Sequence, residues 1–551
     1  MFSLLLEFPR NAILVGLLGT VLIGAKYAKW SSQRKAGLKS KDDAFSLFEA
    51  LILTINERVK AWRFLLKGPT LIADAYKKAN GAPFLIDVPE NRYHFVSTWT
   101  HIGEINAVPD TVLSLTAAAK EILQPQYTMH KFDWDISRGR DSVPLNRTLR
   151  TYLTNHLPNL IPKLRRHLRV IFDRHIQAGP LKNGMKRTQT YLRSDFSTYD
   201  FRLGFRSPKL FPMLVESIAH SNIMSFFGED LVQDPEFIKA GVGFIENTLI
   251  ISEVVRVLPR MIAPAVGRFL SRTFNSQTII FDTLIPIVEL RLEERARKKQ
   301  GHDVPEHHDC IQWIINGTTR PWAAERVVHE LIALWFGSVH ITSTTACFVL
   351  HDLCLHPEYI PLIRKDIERS GWESFDQSKG QEFPLLDSFM KESSRLNPVE
   401  AMSTRRIALK PFELSGGHQV PVGEWVCTAP GAMHRDPAYW AKALEFHGFR
   451  FVEPTLYKAI LSATEFEIPE PGKESAFNEV LDWQLWGTGR NACSGRFYAT
   501  ALAKTMLALL IMNYDMKLAD HKRSKHSFTW RSFIYPYAST PILLKPRSVT
   551  F

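Results

Sequence analysis

The chain has 551 residues, 45% of them hydrophobic and 23% charged, a globular balance that excludes a disordered or collagen-like protein. The formal net charge is +12, but six cations fall between Lys26 and Lys41 with no acid among them. The basic balance is therefore a membrane-surface feature and no argument for nucleic-acid binding. The five cysteines (Cys310, Cys347, Cys354, Cys427 and Cys493) are odd in number and form no C-x-x-C pair, which excludes a disulfide framework and points to a reducing compartment.

From Ala12 to Ala25 the chain reads AILVGLLGTVLIGA without a charge. Crossing a hydrocarbon layer of ~30 Å takes ~20 residues, so the flanking residues, including Leu4 to Leu6, must contribute. The cations that follow hold their side in the cytosol. A cleaved signal peptide would carry its positive charge before the apolar stretch, and here the charge comes after it; a surface-lying helix is the third arrangement. The expectation is a retained single-pass anchor over residues 1–30, a basic linker over 31–59, and one catalytic body over 60–551. On the cytosolic side the Asn146-Arg-Thr and Asn316-Gly-Thr sequons would not meet the glycosylation machinery.

Within the body, helical periodicity dominates and no repeat is visible. The stretch GHDVPEHHDC gathers His302, His307, His308 and Cys310, metal-ligand types whose spacing fits no closed zinc pattern. Pro321 suits the first turn of a long apolar helix reaching Leu353. At its middle lies Trp335-Phe-Gly-Ser-Val-His-Ile-Thr-Ser-Thr-Thr345. Its hydroxyls need partners, and by bonding back to the preceding turn they can open the helix locally. A second helix runs from Pro384 to Leu396 and is stopped by Pro398. It carries Glu392 and Arg395 on one face at i, i+3 spacing. Strand-like pieces follow at Arg405–Ala408, at Trp425–Thr428 and in the last 20 residues, with Glu445-Phe-His-Gly-Phe-Arg450-Phe and a surface loop, Pro469 to Gly472, before the last of them. Helices and small strands interleave, so the body is not divided.

The sharpest feature is Trp486-Gly-Thr-Gly-Arg-Asn-Ala-Cys-Ser-Gly-Arg-Phe-Tyr-Ala499, followed by an apolar helix to about Met512. Gly487 and Gly489 permit a tight turn, and Gly495 leaves room for a flat ligand or a second backbone. Cys493 precedes a helix N-terminus, whose positive end favours thiolate, and Arg490 and Arg496 act in the same direction. Trp486 is placed to cover the sulfur on one side. A buried structural cysteine beside a glycine turn is the bland reading of a lone Cys-x-Gly.

The whole string resembles the heme-binding signature F-G-x-G-x-R-x-C-x-G of the cytochrome P-450 superfamily, and GRNACSGRFYA is similar to the G-R-H-A-C-x-G-R-F-x-A string of a filamentous-fungal branch. Trp486 replaces Phe, and Asn491 stands where a heme-propionate Arg is usual. Glu392-Ser-Ser-Arg395 resembles the family's E-x-x-R. Phe446 to Phe451 resembles its F-x-P-x-R-F, with Arg450 matching the Arg and Gly448 replacing Pro. Arg405 or Arg406 stands where the family sends an Arg to a propionate. Asn146 to Arg150 resembles W-x-x-x-R with Asn in the Trp position; a solvated helix face is its bland alternative. The oxygen-side motif A-G-x-[DE]-T-[ST] is met by His340 at the acid, Ile341 at the alcohol and Thr342 after it; a core His bonded to a carbonyl is the plain reading of His340.

The resemblance implies a mainly α fold with small β-sheets and heme b (iron protoporphyrin IX) held by Cys493 as axial ligand. Arg150, Arg405, Asn491, Trp486, Gly487, Gly489 and Gly495 would surround the cofactor. His340 and Thr342 would carry protons, and Glu392, Arg395 and Arg450 would brace the cysteine loop. It further implies insertion of one oxygen atom from O2 into a bulky apolar substrate, with a terpenoid-type secondary metabolite suggested by the fungal strings. Electrons would come from an NADPH-cytochrome reductase, with cytochrome b5 as an auxiliary donor, because the chain itself has no dinucleotide G-x-G-x-x-G and no phosphate-binding G-x-x-x-x-G-K-[ST]. The site would be the endoplasmic reticulum membrane, with the catalytic body facing the cytosol. Two rivals remain: a heme-thiolate isomerase or dehydratase, motivated by Ile341 and separable by its independence of NADPH, and a non-catalytic membrane heme protein.

Overall fold

The computed structural model describes residues 61–129, 143–181, 204–258, 261–318, 320, 322–456, 466–519, 527–538, 542–548 and 551. The expected anchor, the basic linker and Pro321 lie outside them.

The chain begins with helix α1 (residues 61–79) and the antiparallel pair β1 (Phe84–Asp87) and β2 (Arg92–Val96). Next come α2 (Trp99–Ala107), β3 (Leu113–Ser114) and α3 (Leu115–Leu123). Helix α4 (Val143–Arg147) passes through a wide turn at Thr148–Leu153 into the long α5 (Thr154–Ala178). Helix α6 (Leu210–Phe227) is buried almost all round, which is why its sequence shows little amphipathic alternation. Helix α7 (Pro235–Val257) starts on Asp234, whose carboxylate accepts the amides of Glu236 and Phe237, with Pro235 in the first turn. Helices α8 (Ala263–Thr273), α9 (Ser276–Lys299) and α10 (Cys310–Gly317) complete this half.

The long apolar segment forms two helices, α11 (Ala324–Ser338) and α12 (His340–Leu355), broken at Val339. A single helix was the expectation; the hydroxyls explain the break. Ser338 donates to the Trp335 carbonyl at 2.9 Å, Thr342 to the Ser338 carbonyl at 3.2 Å and Ser343 to the Val339 carbonyl at 2.8 Å, competing with the main-chain ladder at this point. By length and composition Ala324–Leu355 could cross a membrane, but most of it is buried in the protein.

Helix α13 (Ile360–Gln377) leads to α14 (Pro384–Leu396), which has the bounds its sequence prescribes and ends one residue before Asn397-Pro398. Strand β4 (Ser403–Ala408), the hairpin β5 (Phe412–Leu414) and β6 (His418–Val420), and β7 (Trp425–Thr428) follow. Helix α15 (Arg496–Asn513) runs from the cysteine loop into β8 (Tyr514–Leu518), and β9 (Ser527–Trp530), β10 (Phe533–Pro536) and β11 (Ile542–Pro546) end the chain. The main sheet has the order β1-β2-β7-β4-β3; the others are two-stranded. One large core joins the helices, and two smaller ones lie on the sheet. The small sheets thus flank a helical body, and the two broken-helix segments cross it near α15.

Candidate active site

The cysteine loop is a tight turn onto α15. Gly487 and Gly489 both have positive φ (78° and 59°), and a side chain at Gly489 would strike Asn106. The Cys493 amide donates to the Trp486 carbonyl at 2.7 Å, and the Trp486 indole donates to the Phe477 carbonyl at 2.7 Å. The sulfur accepts the amides of Gly495 and Arg496 at the start of α15. Gly495 faces open space, since an added Cβ would meet only Leu149, at 4.0 Å.

Cys493 is exposed to a cavity of about 910 Å³ and enclosed by protein elsewhere. Desolvation pushes its pKa up; the two amides, Arg496 and Arg150 oppose this without reversing it. The expectation that local charges alone would favour thiolate is thereby corrected. Arg490, read as one of those charges, borders the same cavity but its guanidinium is taken up by the Asn106 and Val108 carbonyls and by Asp110 at 3.1 Å. A metal ion bound at the sulfur would supply the missing stabilisation, because a coordinating thiol is deprotonated outright.

Arg150 approaches the loop from the wide turn after α4 and donates to the Arg490 and Ala492 carbonyls at 3.4 and 3.3 Å. It does not line the cavity; Asn146 does, and accepts from the Ser494 hydroxyl at 2.7 Å. Asn491 lines the cavity and reaches Asp110 at 3.4 Å. On β4 a register shift between Ser403 and Arg406, with Thr404 at φ 49°, separates the two arginines. Arg405 is paired with Glu400 and lies 5.3 Å from the Phe533 ring centroid. Arg406 faces a polar recess shared with Thr488 and Asn491 and has no carboxylate partner among the described residues. Of the two, Arg406 is the one free to meet an anion. In the same recess Gln484 Oε1 and Arg405 Nε lack a hydrogen-bond partner among the described residues.

Behind the loop, Glu392, Arg395 and Arg450 form one fully buried ion cluster. Arg395 bonds to both Glu392 oxygens at 2.7 and 2.9 Å, and Arg450 Nε reaches Glu392 at 3.0 Å. The remaining guanidinium donors reach the carbonyls of His434, Ala443, Glu445 and Ala441, at 2.5 to 3.0 Å. Gly448 has a clear reason to replace proline: its amide donates to the Tyr359 hydroxyl at 3.1 Å, and proline has no such donor.

Across the cavity from the loop residues stand Gly337, Ser338, Ile341, Thr342 and Thr345, one face of the broken helix. His340 is buried in α12, and desolvation lowers its pKa to about 4, so its imidazole is neutral at pH 7. A chain of polar groups that the sequence did not reveal ties this break to α15. Tyr498 donates to Asn222 at 2.9 Å, and Asn222 donates to Ser338 at 2.9 Å. The Trp335 indole donates to the Gly241 carbonyl at 2.8 Å, with the ring lying where a side chain on Gly241 would be. The local signal for the polar chain was Asn222 among the serines of the largely buried α6.

Ile341 and Gly337 also line a second cavity of about 220 Å³, bounded by α7, β10 and the main sheet. Its walls are aromatic and aliphatic, with His340 and Thr344 on the helix side. The histidine-rich stretch lies elsewhere: His307 pairs with Glu294 at 2.9 Å, and His308 stacks on His156.

A helical body in which a cysteine at a helix start shares a cavity with a broken, hydroxyl-bearing helix defines the class of heme-thiolate oxygenases. The comparisons agree. The chain resembles retinoic acid bound cyanobacterial CYP120A1 in structure, with a TM-score of 0.60 over 87% of this chain and 96% of that one, at 16% identity. It is 26% identical to cytochrome P450 monooxygenase paxP of Penicillium paxilli, over 87% of this chain and 86% of the relative. It is 24% identical to janP of Penicillium janthinellum (94% and 96%) and 25% identical to monooxygenase 151 of Postia placenta (88% and 90%). The Cytochrome P450 family model matches residues 209–543. The chain belongs to the cytochrome P450 family and is a monooxygenase with heme b as its cofactor. The residues present fit that cofactor: a sulfur donor on one wall, an open glycine beside it, a cavity of sufficient volume, and an arginine and orphaned polar atoms in the adjoining recess.

Proposed function

We propose that this monooxygenase oxidises a bulky, apolar, terpenoid-type secondary metabolite, using electrons from a flavoprotein reductase with cytochrome b5 as auxiliary donor. The observation that carries the reading is that Gly337 and Ile341 line both cavities: an aromatic-lined space large enough to receive apolar groups adjoins the wall of the cavity that holds Cys493. Bound there, heme b supplies the activation of O2 that puts one oxygen atom into a C–H bond and the other into water.

The chain's own residues would divide the work as follows. Cys493 is the sulfur ligand, with the Gly495 and Arg496 amides directed at it. Gly487, Gly489, Gly495 and Trp486 shape the loop, and Arg150 braces it through two carbonyls. Arg406 and Asn491, which line one recess with Arg405, would hold the acidic groups of the cofactor. Thr342 donates to Ser338 and keeps its lone pairs for water, while a neutral His340 can pass a proton by exchanging tautomers. Glu392, Arg395 and Arg450 hold the loop against the core.

We propose the same single-pass membrane topology as the sequence expectation, with residues 1–30 as anchor, 31–59 as basic linker and the body in the cytosol at the endoplasmic reticulum. Exposed Met261 and Ile262, just before and in the cap of α8, and Phe269 within it support a body that also touches the membrane.

The test is the carbon monoxide difference spectrum of the dithionite-reduced protein in microsomes, followed by NADPH-dependent turnover. A strongly red-shifted Soret band that is lost in Cys493→Ala is the expected result. An unshifted band, or one that survives Cys493→Ala, would overturn the ligand assignment. Product formation independent of NADPH would favour isomerisation over oxygenation.

A further inference from the structure

The second cavity contains eight aromatic side chains, from Phe64 and Tyr93 to Phe533 and Tyr535, and few charged groups. Its charged groups are mostly spent on each other. Glu253 meets Arg256 at 3.0 Å and Arg531 at 2.7 Å, and Arg405 pairs with Glu400. The lining contains one other carboxyl, Glu246, on the same face of α7 as Leu249, Ile250 and Glu253. It has no hydrogen-bond or ion-pair partner among the described residues, and burial pushes its pKa up. Helix geometry puts it one turn from Leu249 and Ile250, so its half-buried carboxyl lies along an apolar wall of the cavity with no partner among the described residues.

A half-buried carboxyl against an apolar wall needs water or a ligand to supply its hydrogen bonds, and an apolar ligand that displaces the water leaves it unpaired. Sites built to hydrogen-bond a ligand group also reject the analogue lacking it, because the protein group is then left unpaired. We infer that Glu246 is a specificity-determining residue that accepts a hydrogen bond from an N–H or O–H group on an otherwise aromatic or polycyclic ligand in this cavity. The charge balance of the other lining groups favours a neutral donor over a cation. This rests on the reading of the cavity as the substrate site and adds to it a polar requirement and its position.

The test uses the heme-loaded full chain in detergent and a matched pair of flat probes, carbazole and fluorene, which differ in an N–H against a CH2. Binding is read from the Soret shift. Wild type should bind carbazole about tenfold tighter, the effect of one buried hydrogen bond. Glu246→Leu should bring that ratio to about one without weakening fluorene, and Glu246→Gln, which keeps an acceptor, should retain most of it. An intact red-shifted carbon monoxide band shows that each variant is folded. Equal affinities in wild type, or a preference that survives Glu246→Leu while fluorene still shifts the band, overturns the role of Glu246 and leaves the cavity reading standing. No shift with either probe overturns both.

Discussion

Two buried clusters of glutamate and arginine serve different ends in this protein. The first, Glu392 with Arg395 and Arg450, has no exposed side chain and no unpartnered donor or acceptor. The second joins Glu253 and Arg256 of α7 to Glu90, in the turn between β1 and β2, and to Arg531, in the turn between β9 and β10. Burial pushes the Glu90 pKa up, yet Arg531 and Arg256 more than reverse it, so the acid stays ionised. Even so, Glu90 Oε2, Arg256 Nε and Arg531 Nη2 have no hydrogen-bond partner among the described residues, and Arg531 is held at φ 53°. A saturated cluster fixes the elements it joins, whereas one with orphaned atoms is cheaper to open. The saturated cluster stands behind the cysteine loop, and three members of the incomplete one, Glu253, Arg256 and Arg531, line the aromatic cavity.

The strongest way to break this contrast is to remove the centre of the first cluster. Glu392→Gln should cost about 3–5 kcal/mol, because Arg395 is left buried without its anion and Arg450 keeps only Glu470, at 3.2 Å. The measurement is the yield of protein with the red-shifted carbon monoxide band. A normal yield and an unchanged melting curve would show that the cluster does not hold the loop.

Saturation by hydrogen bonds does not make every buried charge comfortable, and Lys391, on the same helix as Glu392, sharpens the point. Its ammonium donates to Ser475 and Ala476 and lies 4.7 Å from the Phe451 ring centroid, yet desolvation lowers its pKa to about 8. The folded pKa lies below the unfolded one, so between pH 8 and the ordinary lysine range the unfolded chain binds the extra proton. Stability therefore rises with pH through that window, by about 3 kcal/mol in all. Lys391→Met should lose this rise, measured as the difference in unfolding midpoints between the two proteins across pH 7–10.5. Parallel curves would remove the cost assigned to the charge.

The second cluster should fail locally. Arg531→Met is expected to cost about 1–3 kcal/mol, felt first as faster hydrogen exchange at the C-terminal end of α7 and in the β9–β10 turn. Exchange spread evenly over the molecule would mean that this cluster, too, is framework.

What the sequence made legible follows the same division. The cysteine loop was readable because its glycines, its turn and its helix start lie within fourteen residues, and α14 was readable because Pro384 and Pro398 bound it. The break at Val339 was foreshadowed by hydroxyls that bond within one helical turn. Arg490 was misread because its direction is set by Asp110, 380 positions away. The Tyr498–Asn222–Ser338 chain, the incomplete cluster and Glu246 left little or no trace, since each depends on segments brought together only by folding. Asn222→Leu probes one of these: it would leave Tyr498 and Ser338 without their shared partner and should cost about 1–2 kcal/mol in melting.

The smallest expected effect concerns the broken helix itself, where both readings meet. Ile341 is 45% exposed and borders the cysteine cavity, the polar recess and the aromatic cavity alike. By the resemblance it takes the place of an alcohol proposed to serve proton delivery, and Thr342, one residue on, already donates to the Ser338 carbonyl. If Thr342 and water only partly replace that alcohol, Ile341→Thr should raise the ratio of product to leaked hydrogen peroxide by up to about tenfold, the value of one well-placed hydrogen bond. An unchanged ratio in the threonine variant, with the substrate still bound, would show that the route through His340 and Thr342 is complete without it. The isoleucine would then serve the shape of the aromatic cavity alone.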